Sequence, residues 1–435
     1  MLCDDVVYLT KSILVRGLSK KQYDVLVDIS LKLNNLRNCA VETTYLIKKS
    51  DDKHYKKINY KSIISDVKSE FNEYSLVQTH LANAAIKKHV DSFNGYVTLL
   101  NKKIDNEFNR DVHSPKKHYN RLHNIIIPKE SITSSKKKLR EGYIELPLSR
   151  QYKKELVDVN VRPRIKIPED IRDKKIIQVE IIPIDNGRMF KANFTYQAEK
   201  EPLGLDKDNV MGIDLGVNNF ATVVTTEETP FIVDGKFLKN QIAFKCKKVA
   251  HYQSILNKTG LKKSRRIKKI NTKFKQIQNN YLNHVTKTII NACKDQDIGT
   301  IILGYNKNFQ YKSNIGKKQN QIFTHIAFKK FKEKLENKCK IHDLTLIIQE
   351  ESYTSKSSFL DNDILPVYDS NNGQEKEYEF KGKRIKRGLY KTFGGKLLNA
   401  DVNAAANIIR KSKQKFNFER LYKWVQYAPS KIKPL

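Results

Sequence analysis

The stretch Asn209-Val-Met-Gly-Ile-Asp-Leu-Gly-Val-Asn-Asn-Phe-Ala-Thr-Val-Val224 decides the fold. It reads as two short apolar strands joined at Gly216-Val-Asn-Asn219, with one carboxylate, Asp214, at the end of the first. A buried strand that ends on a lone Asp must have a use for it, because an unpaired buried carboxylate is costly.

Downstream, Phe231-Ile-Val233 reads as a third strand. Long helices follow, the second marked by Ile267, Ile270, Phe274, Ile277, Tyr281 and Val285 at helical spacing. Ile298 to Leu303 is a strand, Ile326 to Cys339 a helix, Leu344 to Ile348 a strand, and Ala400 to Lys411 a closing helix. Three strands followed by alternating helix and strand is the order of an α/β RNase H-like fold. The polar, Gly-containing segment from Asp361 to Arg387 reads as a surface insert.

Upstream, Val6-Val-Tyr-Leu-Thr10, continuing toward Val15, is a strand candidate. From Leu18 to about Asn106 three apolar stripes repeat at three and four: Leu26, Ile29, Leu33 and Leu36; then Tyr60, Ile63, Ile64, Val67 and Phe71; then Val77, Leu81, Ala84, Ala85, Val90, Phe93 and Val97. They predict a small helical bundle. Between Asn106 and Asp206 the pattern turns to strands, at Ile125–Ile127, Tyr143–Leu146, Ile165–Ile167 and Ile176–Ile182. Asp185-Asn-Gly187 then turns into Met189–Tyr196 as a hairpin, since Asn-Gly tolerates positive φ. A small β-barrel or sheet, interrupted by the bundle after its first strand, is expected. The lysine-rich loop Ser135-Lys-Lys-Lys-Leu-Arg140 reads as a solvated turn.

With 435 residues, two or three domains are expected. Lys and Arg outnumber Asp and Glu by 82 to 47, and the excess of 35 positive charges is spread along the chain. That favours a nucleic-acid partner over a membrane surface. No apolar run approaches the length of a membrane span. Asp4 and Asp5 stand where a signal peptide would be basic and then apolar, and the five cysteines are scattered singly, so a cytoplasmic, nucleoid-associated protein is expected.

An RNase H-like nuclease brings three or more carboxylates to divalent ions that stabilise both the attacking and leaving oxygens of an in-line displacement. Asp214 fills the first position. Asp401, in Leu398-Asn-Ala-Asp-Val-Asn-Ala-Ala-Ala-Asn-Ile-Ile409, fills the last: Asn399 reads as an N-cap, and the alanines let the helix lie close to the sheet. The second acid is harder to place. Thr300–Leu303 runs into Gly304, and Leu344–Ile348 runs into Gln349-Glu350-Glu351. Strand alternation lets only one glutamate face the site. Glu351 is favoured, with Glu350 the alternative.

Gly212-Ile-Asp-Leu-Gly-Val-Asn-Asn-Phe-Ala-Thr222, Gly304-Tyr-Asn-Lys-Asn-Phe309, Tyr353-Thr-Ser-Lys356 and Asn399-Ala-Asp-Val-Asn-Ala-Ala-Ala-Asn-Ile408 together resemble the TnpB family of transposon-encoded, RNA-guided DNA endonucleases, relatives of type V CRISPR effectors and of the eukaryotic Fanzor branch. The resemblance covers the C-terminal half in detail and the first 208 residues only in architecture. It implies a wedge-type β-barrel (1–16 and 111–208) interrupted by a helical recognition domain (17–110). A RuvC-like nuclease domain (209–435) would follow, with a helical insertion at about 236–296.

The resemblance further implies a guide RNA from the transposon end and a double-stranded DNA target. Two Mg²⁺ ions, with Mn²⁺ able to substitute, would be held by Asp214, Glu351 and Asp401. Lys262, Lys263, Arg265, Arg266, Lys268 and Lys269 are candidates for a surface that tracks the nucleic-acid backbone. Two departures stand out. The family usually carries its second acid where this chain has Gly304, while some relatives place it as Glu351 would be. Its paired zinc cysteines are also missing: Ser358 and Asp361 occupy the first pair, so the insert at about 356–392 is expected to be ordered without zinc.

Two rivals remain at this stage. A catalytically impaired, RNA-guided DNA-binding repressor would keep the fold and lose cleavage. An actin-like ATPase shares the Gly-Ile-Asp-Leu-Gly loop, but Asp234-Gly235 lies too close to serve as its second phosphate loop.

Overall fold

The computed structural model describes residues 6–132, 139, 141–156, 161–261, 264–306, 316–367 and 378–434. The chain divides into two compact units, Met1–Ala198 and Glu199–Leu435.

In the first unit, β1 (Val6–Leu14) is followed by α1 (Lys20–Glu42), α2 (Tyr60–Glu70) and α3 (Thr79–Ile104), and then by β2 (Ile125–Pro128), β3 (Ile176–Ile184) and β4 (Met189–Glu199). Ser19 and Gln22 close a reciprocal capping box at the start of α1. The apolar stripes bury Leu26, Ile29, Leu33 and Leu36 of α1, Ile63 and Val67 of α2, and Leu81, Ala85, Val90, Phe93 and Val97 of α3. Tyr60 stays exposed at 39% because it begins its helix on the open side. The strand order is β1-β4-β3-β2, an open four-stranded sheet among the described residues, where a barrel was one expectation. Tyr143–Glu145 and Arg164–Lys166 pair with each other as a separate ribbon. The hairpin turn carries three successive positive φ values, at Asp185, Asn186 and Gly187. At φ +79° Gly187 adopts a conformation that glycine enters without strain, and a Cβ there would also push aside Leu122 Cδ1, 2.2 Å away. Of the lysine-rich loop 135–140, all but Leu139 lies outside the described residues.

The second unit is built on β5 (Val210–Leu215), β6 (Asn219–Thr225) and β7 (Phe231–Asp234), then α4 (Lys236–Lys258) and α5 (Arg265–Asp295). Next come β8 (Thr300–Gly304), α6 (Lys317–His325), α7 (Phe328–His342) and β9 (Thr345–Gln349). The chain ends with β10 (Lys383–Lys386), β11 (Leu389–Lys391), β12 (Leu397–Asn399), α8 (Ala400–Lys411), α9 (Phe418–Val425) and β13 (Ser430–Ile432). The main sheet has the order β9-β8-β5-β6-β7-β13, with β5 central and parallel to β8, and β8 parallel to β9.

Both faces of this sheet are covered, which is why β5 and β8 read as near-continuous apolar runs. Met211, Ile213 and Leu215 face a core shared with α5 and α7. There Phe220 packs edge-on against Tyr281 and Phe331 and stacks on Phe328. Val210 faces the other way, into a core shared with α8 and α9. Strand alternation puts Gly212 and Asp214 on that second face. A Cβ on Gly212 would meet the Ala405 carbonyl at 2.7 Å and Ile409 Cγ1 at 2.5 Å, so the glycine is what lets α8 lie on β5.

Candidate active site

α8 carries Asp401 to the sheet. Asn399 caps the helix, its side chain accepting from the amides of Asp401 and Val402 at 3.0 and 3.2 Å. Such a cap contributes about 1 kcal/mol and fixes the first turn. The Asp401 carboxylate accepts from Asn219 Nδ2 at 2.8 Å and pairs with Arg384 Nη2 at 3.2 Å. Asn219 opens β6 and Arg384 comes from β10, so three elements fix one carboxylate.

Glu350 and Glu351 diverge just beyond β9. Glu350 pairs with Lys411 Nζ at 2.5 Å and accepts from the Ser352 amide at 2.6 Å. Lys411, whose side chain is only 4% exposed, also donates to the carbonyls of Ser352 and Pro366. Burial raises the Glu350 pKa, but Lys411 and Ser352 outweigh it and hold the carboxyl below the usual carboxylate range. Glu351 goes the other way. Its amide donates to Asn306 Oδ1 at 3.1 Å, and the neighbouring Tyr305 amide donates to the Gln349 carbonyl at 2.9 Å, zipping the ends of β8 and β9 together. The Glu351 carboxylate turns toward Gly304. No donor among the described residues reaches the carboxylate of Glu351 or Asp214.

Electrostatics ties the acids together. Asp214 is held well above the usual carboxylate range, first by burial and then by the negative charges of Glu351 and Asp401, with Arg384 pulling back. Burial pushes Glu351 up to about 7, Glu350 adding to the rise and Lys411 opposing it. Like charges gathered at the edge of a core, two of them without donors, are short of a cation.

The donor set is all oxygen, which suits Mg²⁺ or Mn²⁺. Among the described residues no three His, Cys, Asp or Glu side chains stand as a ready-made ion cage. Mg²⁺ does not require one, since it is usually held by one or two carboxylates together with water and substrate phosphates. The residues therefore fit such an ion once Asp401 turns from Arg384.

The post-β9 turn is clamped by α8. Asn403 donates to the Ser357 carbonyl and accepts from the Phe359 amide, while Asn407 donates to the carbonyls of Thr354 and Ser357. Asn399, Asn403 and Asn407 recur every four residues, so they share one helix face. The spacing was visible in the sequence, yet Asn403, Asn407, Asn219, Arg384 and Lys411 were not singled out there.

Of the candidate nucleic-acid residues, Lys262 and Lys263 lie outside the described residues. Arg265, Arg266, Lys268 and Lys269 occupy the first turns of α5 behind the Ser264 cap. Arg265, Arg266 and Lys269 are exposed, Lys268 is half-buried, and Arg266 lies 5.0 Å from the centre of the Tyr252 ring. Cations at a helix N-terminus oppose its dipole by about 0.3–1 kcal/mol each, a cost that a bound anion would offset.

Parts of the chain match known families. The OrfB_IS605 family model, a probable transposase, matches residues 193–310, and the Cas12f1-like TNB domain model matches residues 328–408. A TnpB-like protein, ORF457 of Acidianus two-tailed virus, is 24% identical over 251 residues, covering 54% of this chain. The match spans about half of that relative, 49% of its length. Together these matches support a TnpB-family protein.

Solved structures similar to this chain include a Cas12f1–sgRNA–target DNA complex, at a TM-score of 0.44 and 13% identity over 92% of this chain and 98% of that one. A CRISPR-Cas12f ternary complex follows at 0.30 and 14%, covering 90% and 82%. A Cas12i1 R-loop complex, before target cleavage, stands at 0.30 and 10%, covering 77% and 52%.

Proposed function

We propose that this TnpB-family protein is an RNA-guided, divalent-metal-dependent DNA endonuclease. The observation that carries the reading is the mutual influence of Asp214, Glu351 and Asp401, brought from β5, the turn after β9 and the start of α8 to one end of the sheet. The strand order, with the acid-bearing strand central, is that of RNase H-like nucleases. The excess of 35 positive charges suits a protein that holds both RNA and DNA. In this reading the helices α1–α3 form a recognition domain, the sheet of the first unit a wedge, and base pairing with the guide supplies sequence specificity.

In the site, Asp214 and Glu351 present carboxylate oxygens with no competing hydrogen bonds among the described residues. Asp401 presents a third from a capped helix end. Mg²⁺ bound there would supply the charge that activates water and stabilises both oxygens of an in-line displacement. Arg384 neutralises Asp401 in the absence of substrate and stands ready to turn to a phosphate, which its planar fork matches well. Asn306, Asn403 and Asn407 hold the Glu351 turn still.

A second reading keeps guided DNA binding without cleavage. It is favoured by the tie of Asp401 to Arg384 and Asn219, which leaves Asp214 and Glu351 as the site acids without a donor among the described residues. The test is plasmid cleavage by protein co-expressed with RNA from the flanking transposon end, with and without Mg²⁺. Guide-dependent cutting that Asp214→Ala abolishes supports the nuclease. Guide-dependent binding without cutting by the parent protein supports the repressor.

A further inference from the structure

The stretch Tyr353-Thr-Ser-Lys356 begins on a residue in a strained conformation. Tyr353 has φ +65°, in the left-handed region that a residue with a bulky side chain enters only at a cost. The Thr354 amide donates to the Glu351 carbonyl at 3.3 Å, so residues 351–354 form a reverse turn with Glu351 first and Tyr353 third. Of its two central residues, only Tyr353 has positive φ. A turn of that kind ordinarily takes glycine or asparagine at its third position.

A tyrosine holds this place only where its surroundings over-determine the backbone. They do so from both sides. Thr354 Oγ1 donates to the same Glu351 carbonyl at 2.8 Å. The Ser352 amide is taken by the Glu350 carboxylate and its carbonyl by the Lys411 ammonium. The Tyr353 carbonyl accepts from the amides of Lys356 and Ser357 at 3.0 and 2.9 Å.

These backbone ties would serve a glycine equally well, and what the tyrosine adds is its ring. The ring packs edge-on against Tyr378, with centroids 5.3 Å apart, and tilts against Phe380 at 6.3 Å. Lys356 Nζ lies 5.8 Å from its centre. Tyr378 and Phe380 stand on a separate segment that leads into β10. Backbone bonds thus set the shape of the turn, while the ring anchors the turn to a second part of the chain. Placement matters here because no donor among the described residues reaches the Glu351 carboxylate. Only the position of its turn aims it.

We propose that Tyr353 is a positioning residue for Glu351, its ring held by Tyr378 and Phe380 so that the carboxylate stays beside Gly304 to take a divalent cation. The proposal rests on the metal-dependent reading above, but its test is read from cation binding and not from cleavage.

The full-length protein, stripped with EDTA, would be titrated with Mg²⁺ and the concentration giving half-maximal thermal stabilisation measured. Tyr353→Gly suits the φ of the turn and removes the ring. Its melting temperature without metal should stay close to that of the parent, while the Mg²⁺ midpoint rises about ten-fold. Tyr353→Asn also tolerates positive φ and should repeat the result, which keeps the test decisive if the glycine variant melts early. Tyr353→Phe keeps the ring and should match the parent. The glycine substitution is also made in Glu351→Gln, where it should leave the midpoint unchanged because the carboxylate it positions is gone.

An unchanged midpoint in Tyr353→Gly would overturn the proposal. So would an equal rise in the Glu351→Gln background, which a merely loosened fold would give, and so would a parent protein that Mg²⁺ does not stabilise. Guided plasmid cleavage by the parent separates the two readings. If it fails while the midpoint depends on Tyr353 through Glu351, the nuclease reading falls and the positioning role stands. If it succeeds while the midpoint is indifferent to Tyr353, the positioning role falls alone.

Discussion

Glu351 Oε2 stands 3.1 Å from the point where a side chain on Gly304 would begin. The glutamate beyond β9 therefore reaches the space that an acid on β8 would use, and the glycine is what leaves room for it. The same Cβ would fall 2.4 Å from Ile408 Cδ1, on the helix that brings Asp401.

Gly304→Ala should destabilise the protein by about 1–3 kcal/mol through overpacking and lower guided plasmid cleavage several-fold by displacing Glu351. Adding Ile408→Val removes the colliding Cδ1 and should restore most of the melting temperature. It should not restore cleavage, because the contact with Glu351 remains. Full recovery of both in the double variant would show that Glu351 is not placed by this glycine.

The adjacent glutamates should fail in opposite ways. Glu350→Gln leaves the Lys411 ammonium buried without its counter-charge and should cost about 1–3 kcal/mol, discounted for the partial exposure of Glu350, with cleavage reduced only as stability is. Glu351→Gln should abolish cleavage and make the metal-free protein more stable at high pH. The sign follows from its carboxyl, which keeps its proton to about pH 7 when folded, against 4.5 ordinarily. Between those values the folded state holds a proton that the unfolded state has lost, so stability falls as pH rises and stays low above 7. Removing the charge should return about 1–3 kcal/mol above pH 7 and nothing below pH 4. Thermal unfolding across pH in EDTA reads this directly. A residual slope from Asp214 should remain in the variant.

Much of the fold was legible because its signals are local. The Asp-Asn-Gly turn, the stripes of α1 to α3, and the limits of α8 depend on residues near in sequence. Chain order suggested the carboxylate trio, and strand alternation that Glu350 and Glu351 would part, as they do, one toward Lys411 and the other toward Gly304. The partners of those acids were not, since Arg384, Asn219 and Lys411 reach them only after β10, β6 and α8 have been folded together. Sheet closure in the first unit was equally hidden, because alternation gives the faces of strands and not the number that pair.

Arg384 holds Asp401 at 3.2 Å and lowers the cost of charge on Asp214, so in the free protein it competes with a cation. Arg384→Ala should lower the Mg²⁺ concentration giving half-maximal thermal stabilisation by several-fold. It should also lower guided cleavage at saturating Mg²⁺ by ten-fold or more, since a cation suited to the phosphate is lost. Arg384→Lys should recover the competition with Mg²⁺ more fully than cleavage, because an ammonium cannot reproduce the fork. An unchanged Mg²⁺ midpoint in Arg384→Ala would mean that the ion does not bind at Asp401.

Where relatives would place zinc cysteines, hydrogen bonds join the chain. Asp363 Oδ2 accepts from the Ser358 amide at 2.8 Å and from the Lys381 amide at 3.1 Å. Asp361 Oδ2 accepts from Ser358 Oγ at 2.5 Å and from the Phe393 amide at 2.9 Å. Two carboxylates thus bind three separate segments, 358–363, 381 and 393, much as a metal would. Asp363→Ala strands two amide donors, that of Ser358 within the core, and should cost about 2–4 kcal/mol. Asp363→Asn keeps an acceptor oxygen and should cost less than half of that. Unfolding of the parent protein in EDTA and in added Zn²⁺ should give the same midpoint, whereas a zinc-dependent rise would mean that a metal, and not Asp361 and Asp363, orders this segment.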